Sequence, residues 1–501
     1  MPSSLKKLLQ GSFWLVLTNF ITRFSGFIVL PLIARLLGPA DLGIYNLLQN
    51  TIQTADGLSR IGIDVAMHFY GAQYQTSGTE SVGRTFGVGS CLTWIAGGFI
   101  AILLCVARQS IARDFLGDVT IEPWLVLAGV SAFITVIGNP SWFYLVALQA
   151  FKTYSLRTSV ITIAGGIITL LLTWGWGLNG TLWSFLIIAL IQTIWGWWLT
   201  LPILNVHGIK LRYDNFIPEA IKLLKFGLPF YSSNFLSSFV ALPLLGYVSK
   251  SGGIEQLGYL RVAQSLSQFV SFLPTAIAPV LISSMAESLG GESKQHQQLK
   301  SLHLRVLWSI ILFISFIISF NLDSIVNLLF GASFNQAILL SRLTIWIAVV
   351  TGLSGMMTQY LIGAGRTRVI AVIQTISLIL MVIIAMIMIP QYNSLGLLIA
   401  QAVSICFRLV AYTKPSLSDI HVSEHKYLWL LTFESCILFT LSFLPSILPI
   451  NIFIGMGVSI VVLGMASVLT FLCCFTNQEK SSTYLLFRKL ILKTSSFVQP
   501  K

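Results

Sequence analysis

Apolar segments of about 20 residues recur along the whole chain, from FWLVLTNFITRFSGFIVLPLIA near the start to IFIGMGVSIVVLGMASVLTFLCC ending at residue 474. Each is long enough to cross a hydrocarbon core of about 30 Å. Of the 501 residues, 55% are hydrophobic and only 9% charged, against about 25% charged in an ordinary globular protein. Most of this chain is not built to face water. It reads as an all-α, polytopic membrane protein with about fourteen transmembrane helices. The predicted spans are 12–34, 42–66, 86–107, 123–149, 156–175, 179–203, 226–248, 256–283, 303–321, 336–361, 369–390, 394–412, 428–447 and 451–474.

The net charge of +13 does not point to nucleic acid, because the basic residues fall between spans and at the C-terminus. With the N-terminus inside, the cytoplasmic segments and tail hold 21 Lys and Arg, while Arg35, Arg108, Arg113 and Lys250 are the four outside. That asymmetry predicts both termini in the cytoplasm. Lys6 and Lys7 before the first apolar run resemble a signal peptide, but the run is long and lacks a small-residue cleavage site, so it is expected to be retained. Trp174, Trp176 and Trp183, and Trp195, Trp197 and Trp198, are expected to form interfacial belts. The tail YLLFRKLILK (Tyr484–Lys493) is a basic amphipathic helix candidate for the inner leaflet.

Several chemistries are disfavoured. No GxxxxGK[ST] loop occurs, and the longest connecting loops are about 20 residues, so an ATP-driven pump in one chain is not expected. The cysteines Cys91, Cys105, Cys406, Cys436, Cys473 and Cys474 lie in or beside spans without metal spacing. HVSEH (His421–His425) fits the inverted zinc-peptidase pattern but sits in a short loop with no third ligand in view, so no metal is expected. Asn179-Gly-Thr181 fits a glycosylation acceptor but lies against the membrane.

A weak internal repeat organises the chain. NFITRFSGFIVLPL (Asn19–Leu32) returns as NFLSSFVALPL (Asn234–Leu244), and LGIYNLLQNTIQ (Leu42–Gln53) as LGYLRVAQSLSQ (Leu257–Gln268). Asn19 and Asn234, Gly43 and Gly258, Gln49 and Gln264, and Gln53 and Gln268 are each 215 apart. Six spans separate the copies, so both run in the same direction. Two parallel six-helix lobes follow, 1–205 and 206–413, with helices 13 and 14 in 414–475 and a basic tail in 476–501.

The second helix of each lobe carries a polar stripe: Asn46, Gln49, Gln53, Asp56, Arg60 and Asp64 in span 2, and Arg261, Gln264, Gln268, Ser271 and Thr275 in span 8. Both have helical spacing. Neither can face lipid, where unsatisfied polar groups cost several kcal/mol. Paired stripes at repeat positions favour a shared central cavity. Asp56, Arg60 and Asp64, at i, i+4 and i+8, can neutralise one another or couple an ion. Arg261 and Arg342 sit about two turns from the outer surface, where snorkelling is open to them. Arg23 lies about 16 Å along its helix, with no acid in that helix, at a cost of about 2.5–3.5 kcal/mol. It is the leading functional candidate, with Asn19 one turn away. Pro31, Pro140, Pro243, Pro274 and Pro279 interrupt helices, as in elements that bend.

LKKLLQGSFWLVLTNFITRFSGFIVLPLIARLLGPADLGIYNL resembles the opening of the polysaccharide flippases of the multidrug/oligosaccharidyl-lipid/polysaccharide exporter superfamily. LLKFGLPFYSSNFL, GGIEQLGYLRVAQSL, LLFGASFNQAILLSRLTIW and QYLIGAGRTR extend the resemblance over about residues 5–412. It is similar to the O-antigen (Wzx-type) branch. The resemblance implies two lobes around a central cationic cavity and a transporter rather than an enzyme, with no cofactor. The expected substrate is an undecaprenyl-pyrophosphate-linked oligosaccharide, moved from inner to outer leaflet by alternating access. A polysaccharide polymerase and a chain-length regulator are the expected partners, and a bacterial inner membrane the location. Arg23, Asn19, Gln49, Gln53, Arg60, Arg261, Gln264, Gln268 and Arg342 are the expected lumen residues, with Asp56, Asp64 and Glu434 as coupling acids.

Two relatives compete. The lipid II flippase branch usually shows further basic residues after the first-helix arginine, where this chain reads GFIVLPLIA. A drug/cation antiporter needs membrane acids, and only Asp56, Asp64 and Glu434 offer themselves. A membrane glycosyltransferase needs a catalytic carboxylate or histidine set beside a long periplasmic loop, which this chain lacks.

Overall fold

The computed structural model describes residues 3–73, 78–288, 293–363, 366–417, 422–447 and 452–474. Among them there are helices and turns and no strand. The helices are α1 (Ser3–Arg60), α2 (Ile63–Gln73), α3 (Thr79–Val106), α4 (Arg108–Ser110), α5 (Glu122–Ala147), α6 (Phe151–Val206), α7 (Phe216–Gly252), α8 (Glu255–Ser288), α9 (Ser293–Phe320), α10 (Leu322–Leu329), α11 (Ala337–Gly363), α12 (Thr367–Tyr392), α13 (Ser394–Leu417), α14 (Val422–Leu441), α15 (Leu444–Ile447) and α16 (Ile452–Cys474). The tail candidate at 484–493 and His421 of the HVSEH motif lie outside the described residues.

α1 has 58 residues and α6 has 56, about 85 Å each at 1.5 Å per residue. A single pass needs roughly 20 residues, so each helix folds back as two passes. The breaks are Gly38 (φ 77°, ψ 178°) and Gly177 (φ 57°, ψ −135°), where only glycine enters positive φ without a steric cost. Pro39 follows Gly38, a stop and a restart in two residues. Counted this way, two passes each in α1 and α6 and one each in α3, α5, α7, α8, α9, α11, α12, α13, α14 and α16 match the fourteen predicted spans. By length and apolarity, seven continuous stretches among the described residues are fit to cross a membrane, and the α9–α10 pair, bent by 66°, makes an eighth.

One predicted boundary moves. Span 2 ends at Arg60, not residue 66, because Ile61 (φ 48°) and Gly62 (φ 74°) break the helix. A Cβ on Gly62 would strike the Gly227 backbone of α7, and one on Gly227 would strike that of Gly62. Asp64 therefore belongs to α2, and the polar stripe is continuous only from Asn46 to Arg60.

α3, α5 and α6 pack on α1 and around α5, while α11 packs on α8 and on α13, and α12 lies against α13 and α7. α14 and α16 both lean on α9. Between these groups, α1 runs along α8. The repeat becomes physical there. A Cβ on Gly43 would collide with the carbonyl of Ile254, and one on Gly258 with the carbonyl of Pro39. Pro39 and Ile254 are themselves 215 apart. The two crossings are therefore copies of one contact, and each requires glycine for backbone approach. Asn46 Nδ2 donates to the Leu257 carbonyl at 3.0 Å beside them.

Val16, Phe20, Phe24, Ile28, Leu32 and Leu36 of α1, spaced by four, are exposed, and Phe20 and Phe24 among them face α8. The tryptophans divide: Trp174, Trp176, Trp183 and Trp198 are exposed, but Trp197 turns inward and donates from Nε1 to the Ile137 carbonyl at 3.0 Å.

Candidate functional site

Two cavities meet at Arg261. The first lies between the first arm of α1 and α8, and Phe20, Arg23, Phe24, Phe27, Gln268, Phe269 and Phe272 line it. The second, ≈ 360 Å³, lies between both arms of α1, both arms of α6 and α8, with Tyr45, Gln49, Thr162, Thr169 and Gln192 on its wall. Arg261 lines both. Among the described residues, no carboxylate appears on either wall. The lining is aromatic and apolar with a few amides and two guanidinium groups, the usual make-up of a ligand site.

Arg23 reaches across to α8 and donates from Nη1 to the Gln268 carbonyl at 3.0 Å. Its guanidinium also stands 6.0 Å from the Phe272 ring. A guanidinium has five donors in a planar fork, and this one stands on the cavity wall. Arg261 lies beside the Tyr45 hydroxyl, and its Nε is buried without a hydrogen-bond partner. Gln49 Oε1, on the second cavity, is likewise buried and unpartnered. Buried polar groups are nearly always satisfied, so a donor and an acceptor left open on one cavity mark a place for water or a polar ligand.

Of the residues singled out in the sequence, the structure brings Arg23, Gln268, Arg261 and Gln49 together. Asn19 is exposed on α1 and lines neither cavity. Gln53 is exposed and Gln264 half-buried, both off the two walls. Arg60 is held by Asp56 of its own helix, Nη2 lying 2.5 Å from Oδ2, and by Asp64 of α2, Nη1 lying 4.0 Å from Oδ2. Asp56 also accepts from Asn139 Nδ2 at 2.5 Å. Glu434 accepts from Thr470 Oγ1 at 2.8 Å and 2.9 Å. The acids proposed for coupling are thus engaged in local pairs.

Arg342 is placed elsewhere. Its side chain is 1% exposed, 2.7 Å from Asp323 Oδ2, and stacks 5.2 Å from the Phe443 ring. It joins α10, α11 and the α14–α15 turn and lines neither of the two cavities described. Snorkelling is replaced by burial against an acid 19 positions away in sequence, a pairing that helix periodicity does not reveal.

Three residues escaped notice. Asn139, next to the mid-span Pro140, holds Asp56. Gln192 lines the second cavity. Arg157, at the start of the span predicted over 156–175, is 1% exposed and stacked 3.7 Å over Trp142, with Nη2 donating to the Gln192 carbonyl at 3.1 Å. A lone amide or arginine inside an apolar run is the signal that finds each of them.

The fold is that of the flippases and multidrug transporters of the multidrug/oligosaccharidyl-lipid/polysaccharide exporter superfamily. The lipid II flippase MurJ in an inward closed conformation superimposes with a TM-score of 0.70 and 14% identity, over 95% of this chain and 98% of that one. An inward-facing multidrug resistance transporter of the MATE family gives 0.57 and 16%, over 82% of this chain and 93% of that one. A superfamily transporter from Pyrococcus furiosus, described as having a binding pocket of reversed polarity, gives 0.56 and 16%, over 83% and 94%. No curated protein matches in sequence. The chain belongs to the polysaccharide biosynthesis protein family, whose model matches residues 8–289, more than half its length. It is a multi-pass membrane transporter of the flippase kind.

Proposed function

We propose that this protein flips undecaprenyl-pyrophosphate-linked oligosaccharide units from the inner to the outer leaflet of a bacterial inner membrane, for cell-surface polysaccharide such as O-antigen in lipopolysaccharide. The observation that carries this reading is the pair of guanidinium groups, Arg23 and Arg261, on adjoining cavities with no carboxylate among the described residues of their walls. Arginine pairs with phosphate through its fork of donors, and a pyrophosphate needs a positive path through a low-dielectric layer. Gln49 and Gln268 supply hydrogen bonds to sugar or phosphate oxygens. A drug cation would meet like charge here, which disfavours an antiporter.

In this reading residues 1–205 and 206–413 are two lobes that rock about the α1–α8 seam, giving alternating access. Residues 414–475 add helices 13 and 14, and 476–501 form a basic cytoplasmic tail. Both termini lie in the cytoplasm. A polysaccharide polymerase and a chain-length regulator take the product.

The test is the lipid-linked sugar that accumulates inside a strain lacking the protein. A polyprenyl-pyrophosphate oligosaccharide other than lipid II supports the proposal, provided the wild-type gene clears it and Arg23→Ala does not. Accumulation of lipid II would move the assignment to the second reading, a peptidoglycan-precursor flippase, which the superposition on MurJ over 95% of the chain favours. Accumulation of neither would refute both.

A further inference from the structure

Arg35 and Lys250, read from sequence as loop charges, are 215 apart and so occupy the same position at the ends of the two repeat copies. The structure gives them the same occupation. Arg35 leaves α1 and donates from Nε to the Leu329 carbonyl at 2.9 Å, and from Nη2 to the Leu328 carbonyl, in the last turn of α10. Lys250 leaves the end of α7 and donates from Nζ to the Asp114 carbonyl, in the π-helical turn 111–116 that follows α4.

The acceptors are equivalent as well. Leu328 stands three residues before Gly331 (φ 95°), and Asp114 three residues before Gly117 (φ 71°). Each turn ends in a glycine at positive φ, a common way for a helical turn to terminate. A Cβ on Gly117 would strike the Lys250 stem, so that glycine also admits the lysine. The last carbonyls of a helical turn lack intrahelical partners and carry the negative end of its dipole. A cation is the natural group to cap them.

Each contact joins opposite halves of the repeat. Arg35 comes from the first copy and caps a turn of the second; Lys250 comes from the second and caps a turn of the first. Both flank the paired glycine crossings of Gly43 and Gly258. Charges that merely anchored the protein to lipid headgroups would have no reason to repeat the same donor, acceptor and crossing. We propose that Arg35 and Lys250 form a twofold-related pair of latches that hold this end of the transporter shut, and that both must release for it to open. This rests on the alternating-access reading, in which this end is the outer one. The latches are unequal: the arginine fork spans two carbonyls, the ammonium one.

The experiment reads separation of the halves and needs no substrate. Spin labels on cysteines at Val119 and Leu339, both exposed, are placed in an otherwise Cys-free full-length protein in lipid nanodiscs, and their distance distribution is measured by pulsed electron resonance. The closed protein should give one short distance. R35Q/K250Q should add a longer one, its population raised on the order of tenfold, the effect of losing charge-assisted hydrogen bonds. R35Q alone should do more than K250Q, and R35K/K250R should restore the short distance. An unchanged distribution in monodisperse R35Q/K250Q would overturn the latches, as would equal effects of R35Q and R35K. If the double variant does not fold, the same reading is taken from the two single variants. A wrong substrate assignment would leave all these distances as stated.

Discussion

Arg23 and Arg342 both sit within apolar helices, yet the protein treats their guanidinium groups in opposite ways. Arg342 is sealed in, 1% exposed, with an acid at 2.7 Å and an aromatic ring against it. Arg23 is half-buried on a cavity wall, and it donates across to a backbone carbonyl of α8. A carbonyl carries no net charge, so it orients a guanidinium without neutralising it. One arginine is therefore enclosed by packing, and the other stands on the wall of a cavity. The cost of an intramembrane charge does not by itself reveal a binding role; the neighbour does.

The sharpest break in that comparison is expected at Arg23. Arg23→Ala should lower flipping by about ten- to a hundredfold, the worth of a hydrogen bond to a charged group, while protein abundance stays normal. Arg23→Lys should keep part of the activity if a point charge suffices and little if the bidentate fork matters. Flipping and abundance must be measured on the same cells. Normal flipping by Arg23→Ala would remove its substrate role.

The mirror experiment falls on the partner of the buried Arg342. Asp323→Ala leaves Arg342 buried without its carboxylate, and stability should drop by about 3 kcal/mol. Thermal unfolding in detergent and steady-state abundance read that loss, whereas flipping per folded molecule should change little. A stable Asp323→Ala protein that cannot transport would place the pair in the mechanism instead.

Solvent access gives a smaller but direct contrast. In a Cys-free variant, a cysteine at Gln268, on the cavity, should react with a small water-soluble thiol reagent at least about tenfold faster than one at Val270, which is 1% exposed. Equal rates would mean that the cavity between α1 and α8 is dry.

The smallest effect belongs to an ion pair outside the membrane. Asp214, in the loop between α6 and α7, accepts from Arg84 Nη2 at 2.6 Å. That hydrogen bond holds its carboxyl below the ordinary value of 3.8. A lowered carboxyl stabilises the fold above its ordinary value, and the contribution disappears as the pH falls below it. The pair is exposed and screened, so Asp214→Asn should move the thermal midpoint at neutral pH only slightly. It should also flatten the acid side of the stability profile. A large shift would show that this loop does more than tie α3 to α7.

What the sequence determined is what hydrophobic length and periodicity can report. Runs of about 20 apolar residues require membrane helices, and an offset of 215 carries the repeat. Helical spacing groups Gln49 with Arg60, or Arg261 with Gln268, on one face. Periodicity is blind to what that face meets, because the rotation of a helix against its neighbours is set by packing. Here the packing is the backbone approach at Gly43 and Gly258, which brings Arg23 to a carbonyl 245 positions away. Only the tertiary structure could also pair Arg342 with Asp323 and break span 2 at Ile61–Gly62 against Gly227. The same holds for the loop charges Arg35 and Lys250, which it turns into caps on the opposite half. A charge placed by sequence alone is an unpaired cost; its partner exists only once distant segments are folded together.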